Sequence, residues 1–125
     1  MKLDEDYILR MIREIAQALA KVITGKSEIN YELPAEEDDY TSLDLLYKEV
    51  IRLSDQGEIN EAENFLLDAA EEKDSRFFEL ALAFYMHLDE FSDEFLETHQ
   101  YSREEIAQGI ESLSEDYGIS GLMLS

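Results

Sequence analysis

Residues 75–91, SRFFELALAFYMHLDEF, constrain the fold more than any other stretch. Advancing about 100° per residue, Phe77, Leu80, Phe84 and Leu88 make one stripe of a helix. Phe78, Leu82 and Met86 make a second stripe nearly opposite the first. A helix apolar on most of its circumference needs neighbours on several sides, so this one belongs at the centre of a helical bundle. Whatever else the chain forms must surround it.

The flanking segments carry the period that such a partner needs. Ile8, Ile12, Ile15, Leu19 and Val22 are spaced 4, 3, 4 and 3, an α-helical seam, with Arg10, Arg13, Gln17 and Lys21 on the other side. Asp4 or Asp6 can cap this helix, and Gly25 can end it in a left-handed conformation. Thr41 followed by Asp44 is a variant capping box opening a helix with Leu43, Leu46, Tyr47, Val50 and Leu53, which stops at Gly57. A second short helix follows, with Ala62, Leu66, Ala69 and Ala70 on one face. The two make a helical hairpin turning around residues 55–58. Ser92 caps a short continuation with Phe95 and Leu96, and Ser102 with Glu105 opens a last helix on Ile106, Ile110, Leu113 and Tyr117. No strands flanked by hairpin turns occur. The expectation is an all-α fold of about six helices in one domain. It comprises an N-terminal helix over about 6–24, a loop 25–41, a hairpin 42–73, a central helix over about 75–90, helices within 92–117 and an apolar tail 119–125. In the loop, Ile29, Tyr31 and Leu33 alternate with polar residues, as in an extended stretch lying on a surface, and Pro34 keeps Leu33 out of helix.

Charge narrows the function classes. The 125 residues hold 31 acids and 10 bases, a formal charge of −21. Residues 1–26 carry five bases and four acids, whereas residues 27–125 carry five bases and 27 acids. Such a surface repels phosphate backbones and anionic lipid, so neither nucleic acid nor a membrane surface is an expected partner of the bulk of the protein. With no cysteine, disulfides, thiolate metal sites and thiol nucleophiles are excluded. Acids near the start do not suit a secretory signal, and no apolar run reaches the roughly 20 residues that span a bilayer, so a cytoplasmic protein is expected.

Residues 43–76 resemble one tetratricopeptide repeat, a helical hairpin of about 34 residues. The matching positions are Leu46, Leu53, Gly57, Ile59, Ala62, Leu66 and Ala69. Val50, Glu49 and Asp74 depart from the pattern, and the block from Phe77 does not repeat it. The resemblance implies a peptide-binding face on the first helix at Asp44, Tyr47, Ile51 and Ser54. None is basic, so the Lys/Arg clamp that some members use for a peptide carboxylate is absent. The whole chain also resembles a group of small acidic helical bacterial proteins with no assigned function.

Catalytic constellations are missing from the sequence. His87 reads as a core-edge histidine bonded to a neighbour, the alternative being a metal ligand beside Asp89 and Glu90. His99 reads as a C-terminal helix cap. The Glu-x-x-His pairs of di-iron bundles are not present, because Phe84 and Leu96 occupy the positions three before the two histidines. Glu36 to Asp39 lack the glycine and spacing of a calcium loop. No cofactor, metal or catalytic residue is therefore expected. The leading expectation is a non-catalytic helical module binding a protein partner; an acidic nucleic-acid mimic or sequestering protein is the alternative, and a carboxylate/His metal protein comes third. A homodimer is expected through one or both of the N-terminal seam (Ile8, Ile12, Ile15, Leu19) and the tail (Leu122, Leu124).

Overall fold

The computed structural model describes residues 2–25, 31–69 and 75–116; the side chains of some residues near helix ends, Ile8 among them, lie outside that description. Six α-helices and no strand are present among the described residues: α1 (Lys2–Thr24), α2 (Ser42–Asp55), α3 (Ile59–Asp68), α4 (Ser75–Asp89), α5 (Asp93–Thr98) and α6 (Arg103–Asp116). The fold is all-α, as the periodicities require.

α4 holds the centre. It packs against α1, α2 and α6, while α1 also packs on α6 and α3 packs on α2. Phe78, Leu80, Ala81, Leu82, Phe84 and Leu88 are fully enclosed, so both stripes of α4 are spent on the core. Met86 alone of the second stripe stays half-buried.

Local signals place the helix ends. Thr41 and Asp44 form the reciprocal capping box of α2: the Thr41 N–H donates to Asp44 Oδ2 at 2.9 Å and the Asp44 N–H to Thr41 Oγ1 at 3.2 Å. α2 ends in a Schellman turn, in which the Glu58 N–H reaches the Leu53 carbonyl and the Gly57 N–H that of Ser54, both at 2.9 Å. Gly57 takes φ +88°, and the ring of His99 occupies the space a β-carbon there would need. Ser92 accepts from the Phe95 N–H, and Ser102 and Glu105 cap each other.

Two helix boundaries differ from the sequence reading, and the loop holds a turn that it did not give. α1 begins at Lys2, so Asp4 and Asp6 lie within the helix and do not cap it. Nothing between Lys2 and Asp6 breaks a helix, and acids in a first turn suit its dipole. α3 stops at Asp68, which makes Ala69 an exposed C-cap and takes it off the packed face; Ala70 lies outside the described residues. The loop contains a short 3₁₀ turn at Glu37–Asp39, held against α2 by the Lys48–Glu37 ion pair. The tail 119–125, with Leu122 and Leu124, lies outside the described residues, as does Ile29.

The N-terminal seam is also corrected. Ile12 and Leu19 are fully buried and Ile15 nearly so, within the core shared by α1, α4 and α6. Their apolar surface is already covered by the same chain, which leaves them no area to offer a second copy.

Candidate functional site

The capping box brings Asp44 inside, with its side chain only 2% exposed. There it gathers a second set of partners. The Tyr31 hydroxyl donates to Asp44 Oδ1 at 2.7 Å, and Arg76 Nη2 at the start of α4 stands 3.5 Å from the same oxygen. Tyr31 lies between two neighbours. Its ring is 4.6 Å from that of Tyr47, and the Arg76 guanidinium rests 4.2 Å from its centroid in a cation–π contact. The loop residue Tyr31 is thus pinned onto the N-terminal half of α2. The donated hydrogen bonds from the Thr41 backbone and from Tyr31 hold the Asp44 carboxyl below its ordinary value against the opposing effect of burial. Burial first, and then Asp44, pushes the Tyr31 phenol up.

These shifts give a pH prediction. A carboxyl whose pKa is depressed by folding stabilises the fold above its unfolded pKa, near 3.9, and loses that contribution as pH falls through the folded value. Asp44→Asn removes this titration and weakens the charged hydrogen bonds. At neutral pH the variant is expected to be about 1–2 kcal/mol less stable, with the difference closing below about pH 4. Urea unfolding of both proteins across that range measures it.

Of the four positions that the hairpin resemblance assigned to a partner, two are turned inward. Asp44 is spent as described, and Ser54 is fully buried with its hydroxyl donating to the Val50 carbonyl at 2.7 Å. Tyr47 and Ile51 are half-buried and keep accessible surface. At Asp44 the physical reason is the Tyr31 loop and Arg76 at the start of α4, which close over it.

The same surface continues into a row of rings that the sequence reading missed. His87, Phe91, Phe95 and His99 run from α4 through α5, with successive centroids 5.2, 4.5 and 4.5 Å apart. All four are half-buried. His87 Nε2 lies 2.7 Å from Asp55 Oδ1 at the end of α2, and Nδ1 lies 3.9 Å from Glu90. At the far end His99 Nδ1 donates to the Phe95 carbonyl at 2.8 Å and serves as the C-cap of α5. Tyr47 joins this group electrostatically: burial raises its phenol pKa, and the Glu90 and Asp55 carboxylates raise it further. The available signal was the constant spacing of four between positions 87, 91, 95 and 99. It is masked by the cap at Ser92, which divides the row between two helices.

Other aromatic side chains of the chain are sorted by burial. Phe77, Phe78 and Tyr85 are core residues, while Tyr47 and Phe65 reach the surface. Tyr85 also takes part in a polar knot: Glu63 Oε2 on α3 accepts from the Tyr85 hydroxyl at 2.6 Å and from that of Tyr101 at 3.1 Å. Burial pushes both phenols up, with the Glu63 charge adding to it. A small pocket of about 140 Å³ near Asp93, Leu96, Tyr101 and Arg103 lies by the start of α6. Its arginine is already committed to Asp93 and Asp89. Among the described residues no group of three or more His, Asp or Glu side chains is placed to hold a metal ion, and no helix is long and apolar enough to cross a membrane.

A model of a family of unknown function matches residues 2–118, nearly the whole chain. The chain belongs to the DUF6483 family. Comparison with curated proteins and with solved structures finds no match. For this DUF6483 chain the family therefore supplies no activity, and function has to be argued from the α2 face and the ring row themselves.

Proposed function

We propose that the protein is a non-catalytic helical interaction module of the cytoplasm that binds a protein partner across the exposed part of α2 and the adjoining ring row. The observation that carries this reading is the ring row itself. Phe91, Phe95 and the two histidines stand half-buried beside Tyr47 and Ile51, with Asp55 and Glu90 at the edge. Rigid aromatic anchors flanked by polar groups are what protein interfaces concentrate. The hairpin α2–α3 is proposed to be tetratricopeptide-like, supported by the Gly57 turn and by the fully buried Ala62, which lets the two helices approach closely. Self-association is part of the same reading.

Tyr47→Ala together with Ile51→Ala is expected to weaken partner capture about 30-fold or more, the effect of removing a hot spot of about 2 kcal/mol, while leaving helicity unchanged. Retention of the partner in about 1 M salt, where charges are screened beyond about 3 Å, separates this reading from its alternative. An acidic mimic held by dispersed carboxylates would release its partner well below that concentration and would be indifferent to the double substitution.

A further inference from the structure

The large apolar side chains left exposed among the described residues fall into two groups: Tyr7 and Val22 on α1, and Leu45, Phe65 and Leu67 on the α2–α3 hairpin. The described charged side chains near the two groups are mainly basic on α1 and acidic on α3. With Ile12, Ile15 and Leu19 turned inward, the outward side of α1 presents, among its described side chains, Arg10, Arg13 and Lys21 together with Glu14, all exposed. Residues 56–69, which include α3, hold Glu58, Glu61, Glu63 and Asp68 and no base. With Ile59, Ala62 and Leu66 buried against α2, the helical period puts Glu61 and Asp68 on the crown of α3 and Phe65 and Leu67 on its shoulders. Arg52 lies within the field of Glu58 and Glu61, but its guanidinium is taken up by Glu49.

We propose that the outward face of α1 on one copy docks on the crown of α3 on a second copy. This develops the self-association in the reading above and is independent of the Tyr47–Ile51 surface. Exposed ion pairs add little affinity, so Arg10 and Lys21 against Glu61 and Asp68 orient the contact, and the covered apolar side chains strengthen it. α1 packs on α4 and α6 and α3 packs on α2, so the two faces belong to separate parts of the bundle and the proposed contact is heterologous. A heterologous contact of this kind makes the assembly grow head to tail. The net charge of −21 opposes any approach of two copies. Growth therefore needs enough salt to screen that repulsion beyond about 8 Å, near 0.15 M, and fails near 1 M, where the local pairs are screened too.

Sedimentation of the full chain from micromolar to sub-millimolar concentration tests this. The weight-average mass is expected to rise above 14.5 kDa with concentration, most steeply at intermediate salt. R10E/K21E and E61K/D68K should each remain at the monomer mass, and an equimolar mixture of the two should regain the association. All four positions are exposed, and circular dichroism confirms that the variants keep their helices. Y47A/I51A should associate like the native chain. A native mass fixed at 14.5 kDa under all conditions overturns self-association itself. Mass growth that survives both charge reversals overturns this interface only. So does stronger association of E61K/D68K, since that variant lowers the net negative charge and would associate more if bulk repulsion alone governed.

Discussion

Arg103→Ala is expected to destabilise the protein by about 3–5 kcal/mol at neutral pH, the cost of stranding a buried charge. Arg103 is 12% exposed and joins three elements through one guanidinium. Nη1 donates to Asp89 Oδ1 at 3.0 Å and to the Asp89 carbonyl at 2.7 Å, Nη2 donates to the Phe91 carbonyl, and Nε donates to Asp93 Oδ1 at 2.9 Å. Two of these four bonds satisfy carbonyls at the end of α4 and just beyond it, where no helical donor remains. Asp89 is the vulnerable partner, since its side chain is 6% exposed. Burial raises its carboxyl pKa even with Arg103 and Arg13 opposing. A carboxyl raised by folding contributes stability below its unfolded pKa and loses it as pH rises through the folded one, so its charged form is a cost at neutral pH. Removing Arg103 enlarges that cost. Part of the loss should return as pH falls and Asp89 takes a proton, and part should return in R103A/D89N at neutral pH. Arg103→Lys should recover little, because an ammonium cannot span four acceptors arranged for a fork. Denaturant midpoints for the native chain and these three variants measure all of this. Equal loss in R103A and R103A/D89N would mean that the carbonyl caps, rather than the ion pair, hold the junction.

Arg103 also shows where reading the sequence reaches its end. Helices and their caps are local, set by spacings of three and four and by residues three apart, and for that reason Thr41–Asp44, Ser92 and Ser102–Glu105 were legible as caps. The central place of α4 was legible as well, since two opposed apolar stripes have no other use. Which surface a seam covers is not local. Ile12, Ile15 and Leu19 would show the same period against a second copy as they do against α4 and α6. Asp44 illustrates the same limit at the site. Its capping role follows from Thr41, but its burial depends on Tyr31 and Arg76, which lie 13 residues before it and 32 after it. The tetratricopeptide resemblance placed Asp44 and Ser54 on an open face because it describes a hairpin in an array of repeats. Here a loop and a non-repeating helix take the neighbouring places. Arg103 and Glu63 escaped notice for a related reason. In a chain with 31 acids, no single carboxylate or its partner stands out until distance and burial select it.

Gly109→Ala separates the local from the non-local contribution by sign. Helix propensity alone predicts that alanine in α6 stabilises by about 0.8–1 kcal/mol. The packing predicts the reverse. A β-carbon at Gly109 would overlap the ring and hydroxyl of Tyr85. Tyr85 is fully buried among core residues, and its hydroxyl is tied to Glu63, so the ring cannot swing aside without giving up a charge-assisted hydrogen bond. Overpacking costs about 1–3 kcal/mol, and such a hydrogen bond contributes about 1.5–3 kcal/mol. The expected outcome is a net loss of about 2 kcal/mol. In a Tyr85→Leu background the obstacle is gone, and the same substitution should become neutral or stabilising by up to about 1 kcal/mol. A double-mutant cycle measured by thermal and urea unfolding gives the coupling directly. A stabilising Gly109→Ala in the native background would show that α6 can withdraw from α4 at little cost. The Glu63–Tyr85–Tyr101 knot would then not hold the α3, α4 and α6 ends in register.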